Sequence, residues 1–181
     1  MNMTHYMELL ATNQPWNLLL FMAVPVVLAE TVAITELYLL YKRRFSGPVR
    51  QLNRAAGTAV GLYFIGVIVY LLINAVAPIT RNGEWRTILD VFAVGTYLVS
   101  GVPLILVALQ DLGIIQRDLP EEKKLAWHVT YIAAFLVFGH LAMIAGMTDP
   151  TLFGYEGAPM AHDMPAVETP AMEMPTHGAA H

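Results

Sequence analysis

The sequence predicts an all-α integral membrane protein: an up-and-down four-transmembrane-helix bundle followed by a disordered C-terminal tail. Three observations predict it. The chain of 181 residues is 56% hydrophobic and only 13% charged, against about 25% charged residues in an average soluble domain. Four apolar runs, 18–41, 55–76, 88–109 and 127–147, each reach the roughly 20 helical residues needed to cross about 30 Å of hydrocarbon. The connections between them are short, which makes successive spans antiparallel neighbours.

Residues 1–17 form an N-terminal segment bearing Met and His. They hold no Lys or Arg, whereas a cleavable signal peptide opens with a basic region, so the first apolar run is read as a retained span. That span carries Pro25, which removes a backbone donor and should kink the helix or loosen a turn, a break that can expose carbonyls to a ligand. It also carries two carboxylates, Glu30 near its centre and Glu36 about 9 Å further along the axis. In the second span Gly57 and Gly61 form a small-xxx-small pair, which lets another helix approach closely or is an incidental pairing of small residues. The third span has Asp90 just inside its first end, placed to cap the helix, and Pro103 in its interior. The fourth begins with Trp127 and His128 at a membrane boundary and carries His140, Met143 and Met147 along one stripe. Trp16, Trp85, Trp127, Tyr41 and Tyr131 fall near span ends, where amphipathic rings anchor helices. Beyond residue 147 Pro and Gly break any helix, and little in 148–181 can build a core, so a mobile tail is expected.

Basic residues set the orientation. The first and third connections hold Lys42, Arg43, Arg44, Arg50, Arg54, Arg117, Lys123 and Lys124, against Arg81 and Arg86 in the second and none in either terminus. By the positive-inside rule the first and third connections face the cytoplasm and both termini face outward. For a bacterial inner membrane, outward is the periplasm.

Composition excludes several functions. There is no cysteine, which removes disulfides, thiolate nucleophiles, cysteine zinc sites, iron–sulfur clusters and c-type haem attachment. The ten basic residues are confined to the middle of a chain of net charge −4, leaving no broad basic surface for nucleic acid. No GxSxG, HExxH, phosphate-loop or dinucleotide motif is present, so an accessory role rather than catalysis is expected.

Soft ligands concentrate at the two termini. The tail carries Met160, His162, Met164, Met172, Met174, His177 and His181, and the N-terminus carries Met1, Met3, His5 and Met7. Seven of ten methionines and four of six histidines lie in these segments. Ligands at alternate positions of an extended chain project to one side and can close on one ion. Thioether and imidazole select soft or borderline metals such as Cu(I) over calcium or magnesium. These spacings resemble the Met-x-Met and His-x-Met runs of bacterial periplasmic copper-handling proteins, a likeness of about fifteen low-complexity residues that names no family.

The intramembrane polar set is Glu30, Glu36, Asp90, His140 and Asn74, costly at that depth unless paired, wetted or protonated. Glu30 and His140 fall at nearly matching depths, either as a hydrogen bond that fixes helix pairing or as a polar site in which Glu30 orients or joins His140 around a metal or proton. Met143 and Met147 would extend that site or simply fill core gaps. The preferred expectation is a copper-binding membrane accessory protein serving copper delivery, tolerance or assembly of a metalloenzyme. One alternative is a haem b- or quinone-associated anchor of a redox complex, with His140 and, for example, Met22 as ligands. Another is a structural subunit with no metal role. Four spans are few for a complete transporter, so besides the lipid bilayer, other membrane subunits or further copies are expected as partners.

Overall fold

The computed structural model describes Thr4, Met7, Glu8, residues 11–85 and residues 87–154. Ten of the eleven terminal Met and His ligands, and the tail beyond residue 154, lie outside the described residues; Met7 alone lies within them.

Four long apolar helices build the fold: α1 (Trp16–Lys42), α2 (Pro48–Asn82), α3 (Ile88–Asp111) and α4 (Glu121–Met147). Among the described residues there is no strand. Two helices begin well before their apolar runs, α2 at Pro48 rather than 55 and α4 at Glu121 rather than 127. Hydropathy marks where a helix meets hydrocarbon. Helical hydrogen bonding continues beyond it through good helix formers such as Arg, Gln, Glu, Lys and Ala. Pro48 opens α2 at a position where a missing N–H costs nothing. Gly83, at φ 69°, closes its other end in the left-handed conformation. Asp90 sits in the first turn of α3, where its Oδ2 accepts from the Thr87 amide at 3.4 Å.

Successive helices pack around the bundle in chain order, most extensively at α3–α4 and most sparsely where α4 returns to α1. α3 is the most enclosed, with half of its apolar stretch buried against about three in ten residues of α1 and α4. Val32, Val60, Phe64, Leu104 and Val107 are fully buried at the centre. The Phe64 ring lies 5.4 Å from Tyr97 and meets Phe135 edge-on at 5.9 Å. Outward faces carry large apolar side chains, including Val27, Ile34, Leu37, Ile73 and Ile144. That surface suits lipid.

Glycines set the α2–α3 spacing. A methyl on Gly57 would collide with the Asp111 carboxylate, and one on Gly61 would collide with Ala108 and reach 2.5 Å from the Leu104 carbonyl. The Gly57/Gly61 face is thus where α3 comes closest.

Candidate functional site

α1 is broken near one end. Residues Leu19–Ala23 form a π-helical turn and Pro25 follows it. Pro25 has no N–H to give the carbonyl four residues back, which is Phe21. The Tyr97 hydroxyl donates to that carbonyl at 2.6 Å, and Tyr63 donates to the neighbouring Leu20 carbonyl at 2.8 Å. Both exposed acceptors are therefore taken by tyrosines rather than left for a ligand. π turns frequently mark functional positions.

Beside this break, in the sparse seam between α1 and α4, lies a cavity of about 250 Å³. Its walls are mainly apolar, with the buried Phe21, Phe64, Tyr97 and Phe135 among its lining residues. Four further lining residues carry donor atoms: Met22 and Glu30 from α1, His140 and Met143 from α4. His140 Nδ1 donates to the Leu136 carbonyl at 2.6 Å. In the neutral ring this bond leaves the lone pair on Nε2, the arrangement usual for a metal-binding histidine, whose other nitrogen is fixed by a carbonyl or carboxylate. Among the described residues no hydrogen bond joins Glu30 to His140; what they share is the cavity wall. Met147, the third member of the α4 stripe, is exposed and lies outside the cavity lining.

The ends of the described chain meet at this end of the bundle. Thr4 is fully buried, and its hydroxyl donates to the Gly146 carbonyl at 2.7 Å. Met7 packs onto Gly146, where an added methyl would lie 3.2 Å from the Met7 sulfur. One member of the N-terminal ligand series is thereby held against the last turn of α4.

The opposite end, where the two basic connections lie, holds a buried polar cluster. His128 is fully enclosed, with Nδ1 2.8 Å from Glu36 Oε1 and Nε2 3.3 Å from Asp111 Oδ1. Asn53, also fully buried, donates to Thr35 Oγ1 at 2.9 Å and to the Val32 carbonyl at 3.2 Å, and accepts from Arg50 at 2.7 Å. Arg54 Nε donates to the Asp111 carbonyl at 2.7 Å. Glu36 thus engages an imidazole, and the buried carboxylate–imidazole pairs among the described residues are Glu36–His128 and Asp111–His128. Gly57 makes room for this cluster, because a side chain there would occupy the Asp111 carboxylate.

Sequence reasoning passed over Asp111 and His128 because hydropathy placed both at membrane boundaries. Extending α4 back to Glu121 puts His128 two turns inside the helix. One signal could have found it: Leu125, His128, Ile132 and Phe135 recur at helical spacing, and all four are buried. Among the described residues no group of three or more His, Asp or Glu side chains has metal-site geometry. The cavity's donor set depends instead on thioethers.

The model of the "Family of unknown function (DUF6803)" matches residues 1–162. The chain belongs to that family. No match was found among curated proteins or among solved structures.

Proposed function

We propose that this family member is a bacterial inner-membrane accessory protein that binds a soft metal ion, Cu(I), at the end of the bundle where its described termini meet. The bound metal would serve copper delivery, tolerance or assembly of a membrane metalloenzyme. The observation that carries the reading is that Met22, His140, Met143 and Glu30 line one and the same cavity.

Two thioethers and an imidazole are the donor types that select Cu(I), whereas an oxygen-rich site would suit calcium or magnesium. Glu30 meets the other requirement of a site at this depth. A monovalent cation in an apolar wall is costly unless a counter-charge accompanies it, and one carboxylate balances one Cu(I). Lipid and the apolar walls would keep water from the ion, and the Leu136 carbonyl would hold His140 in the ligating tautomer. The terminal Met and His residues would gather metal in the outer compartment, an orientation supported by the basic residues of the two opposite connections.

Cavity size argues against a large cofactor. Pockets for drug-sized molecules run from about 300 to 1,000 Å³, and this one is about 250 Å³. A Soret band in the purified protein would reverse that preference.

The test is Cu(I) titration of the detergent-purified full chain against a competing chelator. Four variants are compared with wild type: Met22→Leu, Met143→Leu, His140→Ala and a deletion of residues 158–181. The leucine changes keep volume and remove sulfur, so loss of one tight site in these variants and in His140→Ala supports the cavity. Loss of the weaker sites alone in the deletion supports metal gathering by the tail. Unchanged stoichiometry and affinity in all four variants rejects the proposal.

A further inference from the structure

At the basic end a second cleft, of about 270 Å³, opens beside the buried cluster, between the start of α2 and the connection from α3 to α4. Four cations line it: Arg50, Arg54, Arg117 and Lys124; its two carboxylates are Asp111 and Glu121. Those carboxylates do not neutralise the site. Glu121 is shared by Arg50 at 3.3 Å and Lys124 at 3.2 Å, one negative charge against two positive. The Asp111 carboxylate turns inward to His128. Among the described residues, no carboxylate pairs with Arg54 or Arg117.

The walls of the cleft are held in place. Arg54 Nε is fixed by the Asp111 carbonyl, which leaves its terminal nitrogens as donors. Gln110 at the end of α3 donates to the Lys124 carbonyl of α4 at 2.7 Å, and Gln116 of the connection donates to the Tyr131 hydroxyl of α4 at 3.1 Å. Trp127 stacks on that same Tyr131 at 5.7 Å, with nearly half of its surface exposed. Such aromatic pairs settle at the level of lipid headgroups. A preorganised cationic cleft at headgroup depth, bearing planar guanidinium donors, matches a phosphate group.

We propose that this cleft binds the phosphate of an anionic phospholipid headgroup, with Arg54 and Arg117 as its principal donors. Depth favours the lipid over a free anion, since the stacked aromatics hold the cleft against the bilayer surface. Basic pockets between transmembrane helices recognise acidic headgroups by this chemistry. The site is independent of the metal cavity at the opposite end of the bundle.

Full-length protein in nanodiscs or detergent is offered phosphatidylglycerol or phosphatidylcholine of matched acyl chains, and bound lipid is counted by native mass spectrometry. The expected result is preferential retention of phosphatidylglycerol. Arg117→Gln, which removes no bond recorded among the described residues and so leaves the fold intact, should weaken retention about fivefold, and Arg54→Gln/Arg117→Gln about 25-fold. Arg81→Gln, at the other end of the bundle, should leave retention unchanged. Equal binding of the two lipids, or wild-type retention in Arg117→Gln and the double variant, overturns the proposal. Displacement of the lipid by an equal concentration of inorganic phosphate overturns the lipid assignment in favour of a free anion.

Discussion

Replacing Gly61 with alanine is the most direct probe of the bundle's geometry. The new methyl would sit 2.5 Å from the Leu104 carbonyl oxygen, where ordinary contact begins at 3.4 Å. The Ala108 Cβ is nearer still, and neither atom can rotate away, so relief requires α2 and α3 to separate by about 1 Å. A gap of that size forfeits about a quarter to a half of the dispersion energy of each contact it opens. The side chains at risk are Val60, Phe64 and Val67 of α2 and Leu104 and Val107 of α3, all buried in one apolar cluster. Overpacking of this kind costs about 1–3 kcal/mol, and a carbonyl that cannot rotate away places Gly61→Ala near the upper end. Gly66 is the matched control on the same helix, because a methyl there meets nothing within 4 Å. Gly66→Ala should be neutral or slightly stabilising through helix propensity. Gly57→Ala should fall between them: its collision is with a side-chain carboxylate, but moving that group breaks its approach to His128. Unfolding in mixed micelles by titration with sodium dodecyl sulfate reads all three. If Gly61→Ala and Gly66→Ala unfold at the same denaturant fraction, the helices do not approach at this distance and the packing argument fails.

Two further variants test the polar contacts. His128→Ala removes the ring between Glu36 and Asp111 and leaves two enclosed carboxylates facing a void; breaking buried charge pairs costs about 3–5 kcal/mol. A loss below about 1 kcal/mol by the same unfolding assay would show that the cluster is hydrated. Tyr97→Phe removes the donor to the Phe21 carbonyl, which Pro25 already deprives of an N–H, and should cost about 1–2 kcal/mol for the unsatisfied acceptor. The double variant Pro25→Ala/Tyr97→Phe restores a backbone donor and should lose less than Tyr97→Phe alone. A strictly additive double variant would refute the coupling of proline and tyrosine.

Helix number, order and antiparallel packing were legible in the sequence because hydrophobic length against bilayer thickness is a coarse constraint that four long runs satisfy. The ends of α2 and α4 were not, since polar helix formers such as Arg50 and Glu121 extend a helix beyond the hydrocarbon without any hydropathy signal. That difference decided which histidine is enclosed. With α4 starting at 127, His128 reads as a boundary residue and His140 as the deep one; with the start at Glu121, His128 faces α1 and α3 while His140 faces the α1–α4 seam. The cavity itself required structure, because it arises where a π turn and Pro25 distort α1 and where α4 packs least closely. Pro25 was recognisable as a break, but the tyrosines that take its freed carbonyls come from α2 and α3, more than 35 residues away in sequence.

The two candidate sites differ in chemistry and are kept apart by the core. Soft donors in apolar walls occupy the end where the termini meet, while guanidinium groups and carboxylates occupy the other. Between them Val32, Val60, Phe64 and Leu104 are fully buried, and Phe64 also lines the cavity. Glu30 and Glu36, the carboxylates of α1 at the two levels, lie about 9 Å apart along the axis and about 120° apart around it, so they face different neighbours. An ion in the cavity would have to shed Glu30 and cross this mainly apolar packed layer, at a cost of tens of kcal/mol in a low-dielectric medium. On the proposed reading, a single copy would therefore take and return its metal on one side of the membrane. On the same reading the sparse α1–α4 seam, where His140 and Met143 lie exposed beside Met22, would give a partner's ligands access to the ion.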